Sequence, residues 1–169
     1  NIRNSIQNIG QNNNTDIISA YIPWELSINH LVESMDLIIS RAVMEHIDDY
    51  EDIYYKLNLC LKANGIMLHD VEYHHHGIGR HWNSHWEYSS FIWNLIKGKR
   101  LFITNRTTHS MQCESLKRTG FQILLEKRII RTTRIQSKCL TKEFRDISDI
   151  DLNTYGGWFL VSKHGVKSR

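Results

Sequence analysis

The sequence has a single proline, Pro23, and only one glycine, Gly10, before Gly65. Everything before Gly65 therefore lacks the glycine-rich turns through which a backbone comes close to a bound nucleotide, because only glycine leaves room for that approach. Cysteine is as scarce. Cys60, Cys113 and Cys139 are odd in number and widely spaced, with no Cys-x-x-Cys, which excludes a disulfide framework and a zinc-finger pattern. Free thiols in a reducing compartment follow, and with them a cytoplasmic protein; Cys60 reads as core filler. No apolar run approaches the ~20 residues of a membrane span, and no signal peptide is visible. A formal net charge of +3 makes no electrostatic case for nucleic acid. The chain begins at Asn1 rather than Met, which fits a longer precursor or a fragment.

What is present is a 169-residue chain long enough for one domain with its own core. Leu37, Ile38 and Ile39 form an apolar run flanked by polar residues, which reads as a short strand buried on both faces. A polar loop with Glu45-His46 follows, then the acidic Asp48-Asp49-Tyr50-Glu51-Asp52. Ile53, Leu57 and Leu61 recur at helical spacing, and Gly65 stands where a helix C-terminus favours positive φ. Ile66-Met67-Leu68 is a second short strand, ending at Asp70. The unit is strand, loop, helix, strand: one βαβ crossover with polar groups at the carboxyl ends of both strands.

Asp36-x-Ile38-x-Ser40-x-x-Val43-x-Glu45-His46-Ile47, followed by Leu61-Lys62-x-x-Gly65 and the strand ending at Asp70, resembles the central part of a class I S-adenosylmethionine-dependent methyltransferase of the type 11-like group. His74, Trp86, Trp93, Asn105-Arg106 and Thr119-Gly120-Phe121 continue the resemblance, which runs from about Asp36 to Lys163. It implies an α/β fold: a Rossmann-like class I methyltransferase sheet, incomplete, with strands 4, 5, 6 and an antiparallel strand 7 and their flanking helices. S-adenosylmethionine is the implied cofactor and a small molecule the implied methyl acceptor.

A complete enzyme of that class needs a glycine-rich turn after its first strand and an acidic ribose partner about 20 positions later. Neither is present before Asp36, and three strands with two helices do not fit into about 35 residues when one βαβ unit takes roughly 30. The expectation is a C-terminal half: residues 1–15 as a flexible, Asn- and Gln-rich lead, and residues 16–169 as the partial domain. Within the latter, Asp16 to Trp24 suits a short strand ended by Pro23, and Leu26 to Val32 a helical turn or loop.

The stretch after the second strand is the most polar: His69, Asp70, Glu72, His74, His75, His76, His81, His85 and Glu87. Imidazoles and carboxylates are good zinc or iron ligands. Against this, the spacing matches no His-Glu-x-x-His or other common ligand pattern, and Gly77 and Gly79 suit a mobile loop, so the expectation is no tight metal site. The resemblance instead lets the loop overhang the transfer site. Where related sequences carry an Asp-His pair, this one has Tyr73-His74.

Further along, Trp86, Phe91, Trp93 and Leu95 suggest helical faces with most of the aromatics in the core. Leu101 to Ile103 reads as a short extended piece. Thr107 or Thr108 can cap a helix running to about Arg118, and Phe121 to Leu125 opens the next strand. Lys127, Arg128, Arg131, Arg134 and Lys138 form a basic run, either the solvated side of a strand and loop or a patch for an anionic substrate. Leu140, Phe144, Ile147, Ile150 and Leu152 recur at intervals of three and four or nearly so, which predicts a final amphipathic helix. Trp158 to Val161 is a closing strand, by resemblance the antiparallel one inserted between the fifth and sixth.

The sulfonium methyl is already activated, so such an enzyme mainly aligns its acceptor in line with the S–CH₃ bond and needs a base only when the acceptor must lose a proton early. The resemblance places Ser40, Arg41, Ala42 and Glu45 near the cofactor. His46, Asp70 and His74 are the candidate catalytic residues, with His46 alternatively only fixing the turn. Two other readings stand beside methyl transfer: a non-catalytic binding or inert domain, because the glycine-rich turn is absent, and a metal-dependent enzyme built on the His69 to His85 loop. Self-association through the edge of the Leu37 to Ser40 strand is also expected, because removing its neighbour leaves unpaired backbone groups beside apolar side chains.

Overall fold

The computed structural model describes residues 28–100, 103–133 and 135–163. The expected lead at Asn1 to Asn14, the strand at Asp16 to Trp24, Leu101, Phe102 and Arg134 lie outside the described residues. The elements are α1 (Ile28–Leu31), β1 (Met35–Arg41), α2 (Tyr50–Cys60), β2 (Leu61–Glu72), α3 (Ser90–Lys97), α4 (His109–Arg118), β3 (Phe121–Ile130), α5 (Asp149–Leu152) and β4 (Thr154–Lys163). Asp49 caps α2 by accepting from the Asp52 amide at 3.2 Å, and Thr108 caps α4 by accepting from Met111 at 3.2 Å. Both caps satisfy backbone donors that a helix start leaves orphaned.

The four strands form one sheet in the order β1-β2-β4-β3. β1 runs parallel to β2, with Leu37 opposite Ile66 and Arg41 opposite Asp70. β4 is antiparallel to both β2 and β3. The sheet therefore has three parallel strands and one inserted antiparallel strand, as the resemblance implies for strands 4, 5, 7 and 6. The connection from β1 through α2 to β2 is the expected βαβ crossover.

One face of this sheet is covered. Met67, Val71, Tyr73, Phe159 and Val161 pack with Tyr54 of α2 and with Cys113 and Leu116 of α4 in a single buried cluster. Met67 and Leu116 are completely inaccessible, and truncating such a side chain costs about 2–5 kcal/mol. A second cluster of Trp86, Ile135, Leu140 and Leu152 lies under the loops. Among the described residues the opposite face of the sheet is open: Leu37 is 51% exposed and Ile39 62%. The expectation that this strand is buried on both faces fails among the described residues, because α2 and α4 both pack on the side to which Ile38 turns.

Three other expectations are corrected. Gly65 lies inside β2 rather than at a helix end. A Cβ there would come within 2.7 Å of the Leu61 side chain and 2.9 Å of the Met35 carbonyl, so its lack of a side chain serves strand pairing. The stretch from Leu140 to Leu152 is no continuous helix. Short 3₁₀ turns at Ser137–Cys139 and Lys142–Phe144 and the four-residue α5 bring its apolar residues inward, and the Ser148 hydroxyl, accepting from Asp151, starts α5 afresh. Phe91 and Leu95 are 76% and 72% exposed, because α3 turns Trp93 inward instead. The basic run is also partly spent internally: Arg128 bonds Asp151 at 2.6 Å and Ser110 at 3.1 Å.

Candidate functional site

Polar side chains gather where β1 and β2 end, at the carboxyl edge of the parallel strands. β1 leaves the sheet at Arg41, and Ala42 turns the chain with φ of 52°, a left-handed conformation that costs a non-glycine residue about 1 kcal/mol. The Ala42 amide donates to the Asp70 carbonyl at 3.0 Å, which ties the turn to β2. The chain then makes one 3₁₀ turn, Met44–His46. Asn105 staples it: its Nδ2 donates to the carbonyls of Met44 at 2.9 Å and Ile47 at 2.7 Å, and its backbone amide donates to Glu45 at 2.5 Å.

A buried polar chain supports this staple. Thr107 donates to Asn105, Gln112 to Thr107 at 3.0 Å, and Tyr54 to Gln112 at 2.5 Å. The Tyr54 ring packs on His69, which is hydrogen-bonded to the Ser40 hydroxyl. Burial lowers the His69 pKa to about 4, so the imidazole is neutral in the fold. Ser40 thus faces the covered side, and only its backbone is offered to the crevice. Arg41 points outward, with Nε 3.6 Å from Asp70, and Asp70 borders a shallow hollow of about 280 Å³ with Leu68 and Trp158 on the open face.

Glu45 is a buried carboxylate at this edge of the sheet. The residue is 1% exposed, and neither carboxylate oxygen has a hydrogen-bond partner. Burial raises its pKa to about 7, and the carboxylates of Glu72 and Asp70 add to the rise, while the backbone amides of Glu45 and Glu72 offset part of it. Next to it, His46 stacks on His76 with centroids 5.5 Å apart, and its Nδ1 is buried without a partner. Burial and the neighbouring His76 lower its pKa. His74 lies 3.4 Å from Glu72 through Nε2, and burial lowers its pKa despite that carboxylate.

Of the residues singled out in the sequence, the fold brings Glu45, His46 and His74 into one neighbourhood. Asp70 stands at its rim with Arg41 and Ala42, and Ser40 turns away. Sequence reasoning gave no role to Tyr155, took Asn105 only as part of the resemblance, and counted Glu72 and His76 among the possible ligands of a polar loop expected to hold no metal tightly. For Glu72 and His76 the signal was present: in an extended chain residues two apart share a side, so Glu72, His74 and His76 align. Asn105 and Tyr155 reach the site only through tertiary packing.

No protein-family model matches the chain, and no curated protein matches it. Solved structures are similar. An S-adenosylmethionine-dependent methyltransferase from Mesorhizobium loti aligns over 78% of this chain at 15% identity with a TM-score of 0.48. Phosphoethanolamine N-methyltransferase 2 from Haemonchus contortus, in complex with S-adenosyl-L-methionine, aligns over 79% at 16% identity, also with a TM-score of 0.48. Geranyl diphosphate C-methyltransferase from Streptomyces coelicolor A3(2) aligns over 78% at 10% identity and the same TM-score. The chain spans 63%, 34% and 48% of those three proteins.

Proposed function

We propose that this chain supplies the acceptor-side half of an S-adenosylmethionine-dependent methyltransferase acting on a small molecule. The observation that carries the reading is the coincidence of topology and site. Three parallel strands with one inserted antiparallel strand place the polar groups of residues 40–46 and 70–76 at the carboxyl ends of β1 and β2, where open α/β sheets bind their ligands.

The residues present fit one end of the cofactor. The buried, unpartnered Glu45 carboxylate suits the ammonium of the methionine moiety, and the Arg41-Ala42 backbone borders the same turn. When bound, S-adenosylmethionine supplies an activated methyl group on its sulfonium. The chain's part is to hold the acceptor and to take up its proton where one is lost. His46 and His74, both kept neutral by burial, can accept it. Asp70 is open to the acceptor from the uncovered face. An anionic acceptor has Arg131 within reach of this loop, its guanidinium 5.0 Å from the centroid of the Tyr155 ring on which His74 stacks.

Among the described residues no glycine-rich turn precedes β2, so the adenosyl end of the cofactor has no cradle there, and binding by this chain alone is weak. Three free cysteines agree with a reducing compartment, and no described helix is long and apolar enough to cross a membrane. Ultraviolet photolabelling with methyl-tritiated S-adenosylmethionine, followed by peptide mapping, tests the reading. Label in peptides holding residues 40–46 or 70–76 is expected. Label confined to other peptides, or none above that of a denatured control, favours a non-catalytic domain.

A further inference from the structure

The geometry points to a divalent transition-metal site formed by Glu72, His74 and His76 at the end of β2. One ligand atom from each lies within 4.8 Å of the others. Two imidazoles and one carboxylate are a donor set that suits zinc or ferrous iron, and modest side-chain rotations bring such atoms to metal-bond distance. The site shares His74 with the methyl-transfer reading, and a metal bound there takes that imidazole out of use as a proton acceptor, but the titration below reads the site without any methyl transfer.

The backbone explains why these three converge. Past Glu72 the chain bends at His74 and His76 but keeps two backbone hydrogen bonds and alternating burial: the Tyr73 amide donates to the Tyr155 carbonyl at 2.9 Å and the His75 amide to the Trp82 carbonyl at 3.1 Å. Alternate residues therefore take opposite sides. Tyr73 and His75 go inward, and His75 is consumed there, with Nε2 bonded to the His81 carbonyl at 2.5 Å and Nδ1 accepting from Ile78 at 2.8 Å. Glu72, His74 and His76 take the other side. Among the described residues, none of the three side chains has a protein hydrogen bond that would hold it there. Within the set, His74 approaches Glu72 at 3.4 Å and meets the His76 ring edge-on at 5.2 Å.

Two further observations make this more than a run of exposed histidines. His74 is fixed in orientation by Tyr155 of β4, its ring parallel to the tyrosine at 4.3 Å. Beside Glu72 lies Glu45, 1% exposed, with both oxygens unpartnered. A buried carboxylate short of well-formed hydrogen bonds is costly, and a cation held by Glu72 supplies positive charge beside it. His46, stacked on His76 with its Nδ1 unpartnered, closes the same side. His76 is exposed, so the remaining coordination positions open to solvent and to an acceptor.

The test uses the full chain, expressed without a polyhistidine tag and stripped with chelator. Cobalt(II) is titrated in and followed by its visible d–d absorption, then displaced with zinc. One equivalent of cobalt(II) with visible bands that zinc abolishes is expected. His76→Ala, at an exposed position that leaves the fold intact by circular dichroism, raises the Kd about a hundredfold, and Glu72→Gln does the same. His81→Ala, in the same loop but outside the set, leaves it unchanged. Absence of saturable stoichiometric binding, or binding that persists in a His74→Ala, His76→Ala double variant, overturns the assignment.

Discussion

The imidazole of His74 lies flat on the phenol ring of Tyr155, centroids 4.3 Å apart and planes 5° from parallel. This contact couples the end of β2 to the start of β4, and it fixes one candidate ligand before anything binds. Preorganisation of that kind sets how much of the binding energy goes into ordering the site.

Tyr155→Leu removes the stack and keeps an apolar side chain. Metal affinity in the cobalt titration is expected to fall about tenfold, with stability lowered by about 0.5–1.5 kcal/mol. Tyr155→Phe keeps the ring and leaves both values unchanged. An unaltered Kd in Tyr155→Leu contradicts the positioning role.

The Asn105 staple gives a second expectation. Asn105→Ala strands the carbonyls of Met44 and Ile47 and lowers stability by about 1–3 kcal/mol in denaturant unfolding. Asn105→Asp fares no better, because a carboxylate has no donor for either carbonyl. Full stability in Asn105→Asp counts against the staple.

Stability also depends on pH through His69. Burial depresses its folded pKa to about 4, against about 6.5 when unfolded. The unfolded chain therefore binds the proton first as pH falls, and stability present above pH ~6.5 is lost progressively down to ~4. His69 alone removes about 2 kcal/mol by pH ~5, and His85, also held well below its ordinary value by burial, adds to the loss. Denaturant midpoints between pH ~7 and ~5 check this. His69→Gln flattens part of the slope; a profile as steep as wild type refutes the role of His69.

The open face carries the expectation about self-association. Ile38 packs against the core, so Ile38→Lys unfolds the domain rather than testing its edge. Leu37 and Ile39 are the exposed pair on β1, and among the described residues β1 has a strand neighbour on one side only. Ile39→Lys is expected to reduce association in light scattering while circular dichroism stays unchanged. A monomeric wild-type chain at high concentration removes the premise.

Much of the framework was legible because it is written in local pattern. The helical recurrence of Ile53 and Leu57, the short apolar runs at residues 37–39 and 66–68, and Thr108 before α4 each name their element without tertiary knowledge. Residues 140–152 misled because apolar spacing of three and four arises equally from successive turns around a shared core, here that of Trp86 and Leu152. Gly65 misled because close strand packing and positive φ both select glycine. In the site, Glu45-His46 and His74 were visible, whereas the chain from Ser40 through His69, Tyr54 and Gln112 to Asn105 joins residues far apart in sequence. Glu72 and His76 were weighed as ligands and set aside because their spacing fits no His-Glu-x-x-His or other common ligand pattern, which does not register side chains that share a side at every second residue.

The central claim is that the ends of β1 and β2 form half of a methyl-transfer site, and a two-dimensional ¹⁵N–¹H titration of the chain with S-adenosylhomocysteine tests it most directly. The predicted result is fast-exchange shifts confined to residues 40–46 and 70–72, reaching saturation only in the millimolar range, and diminished in Glu45→Gln. Shifts confined to other parts of the sheet, or none at any concentration, contradict the claim.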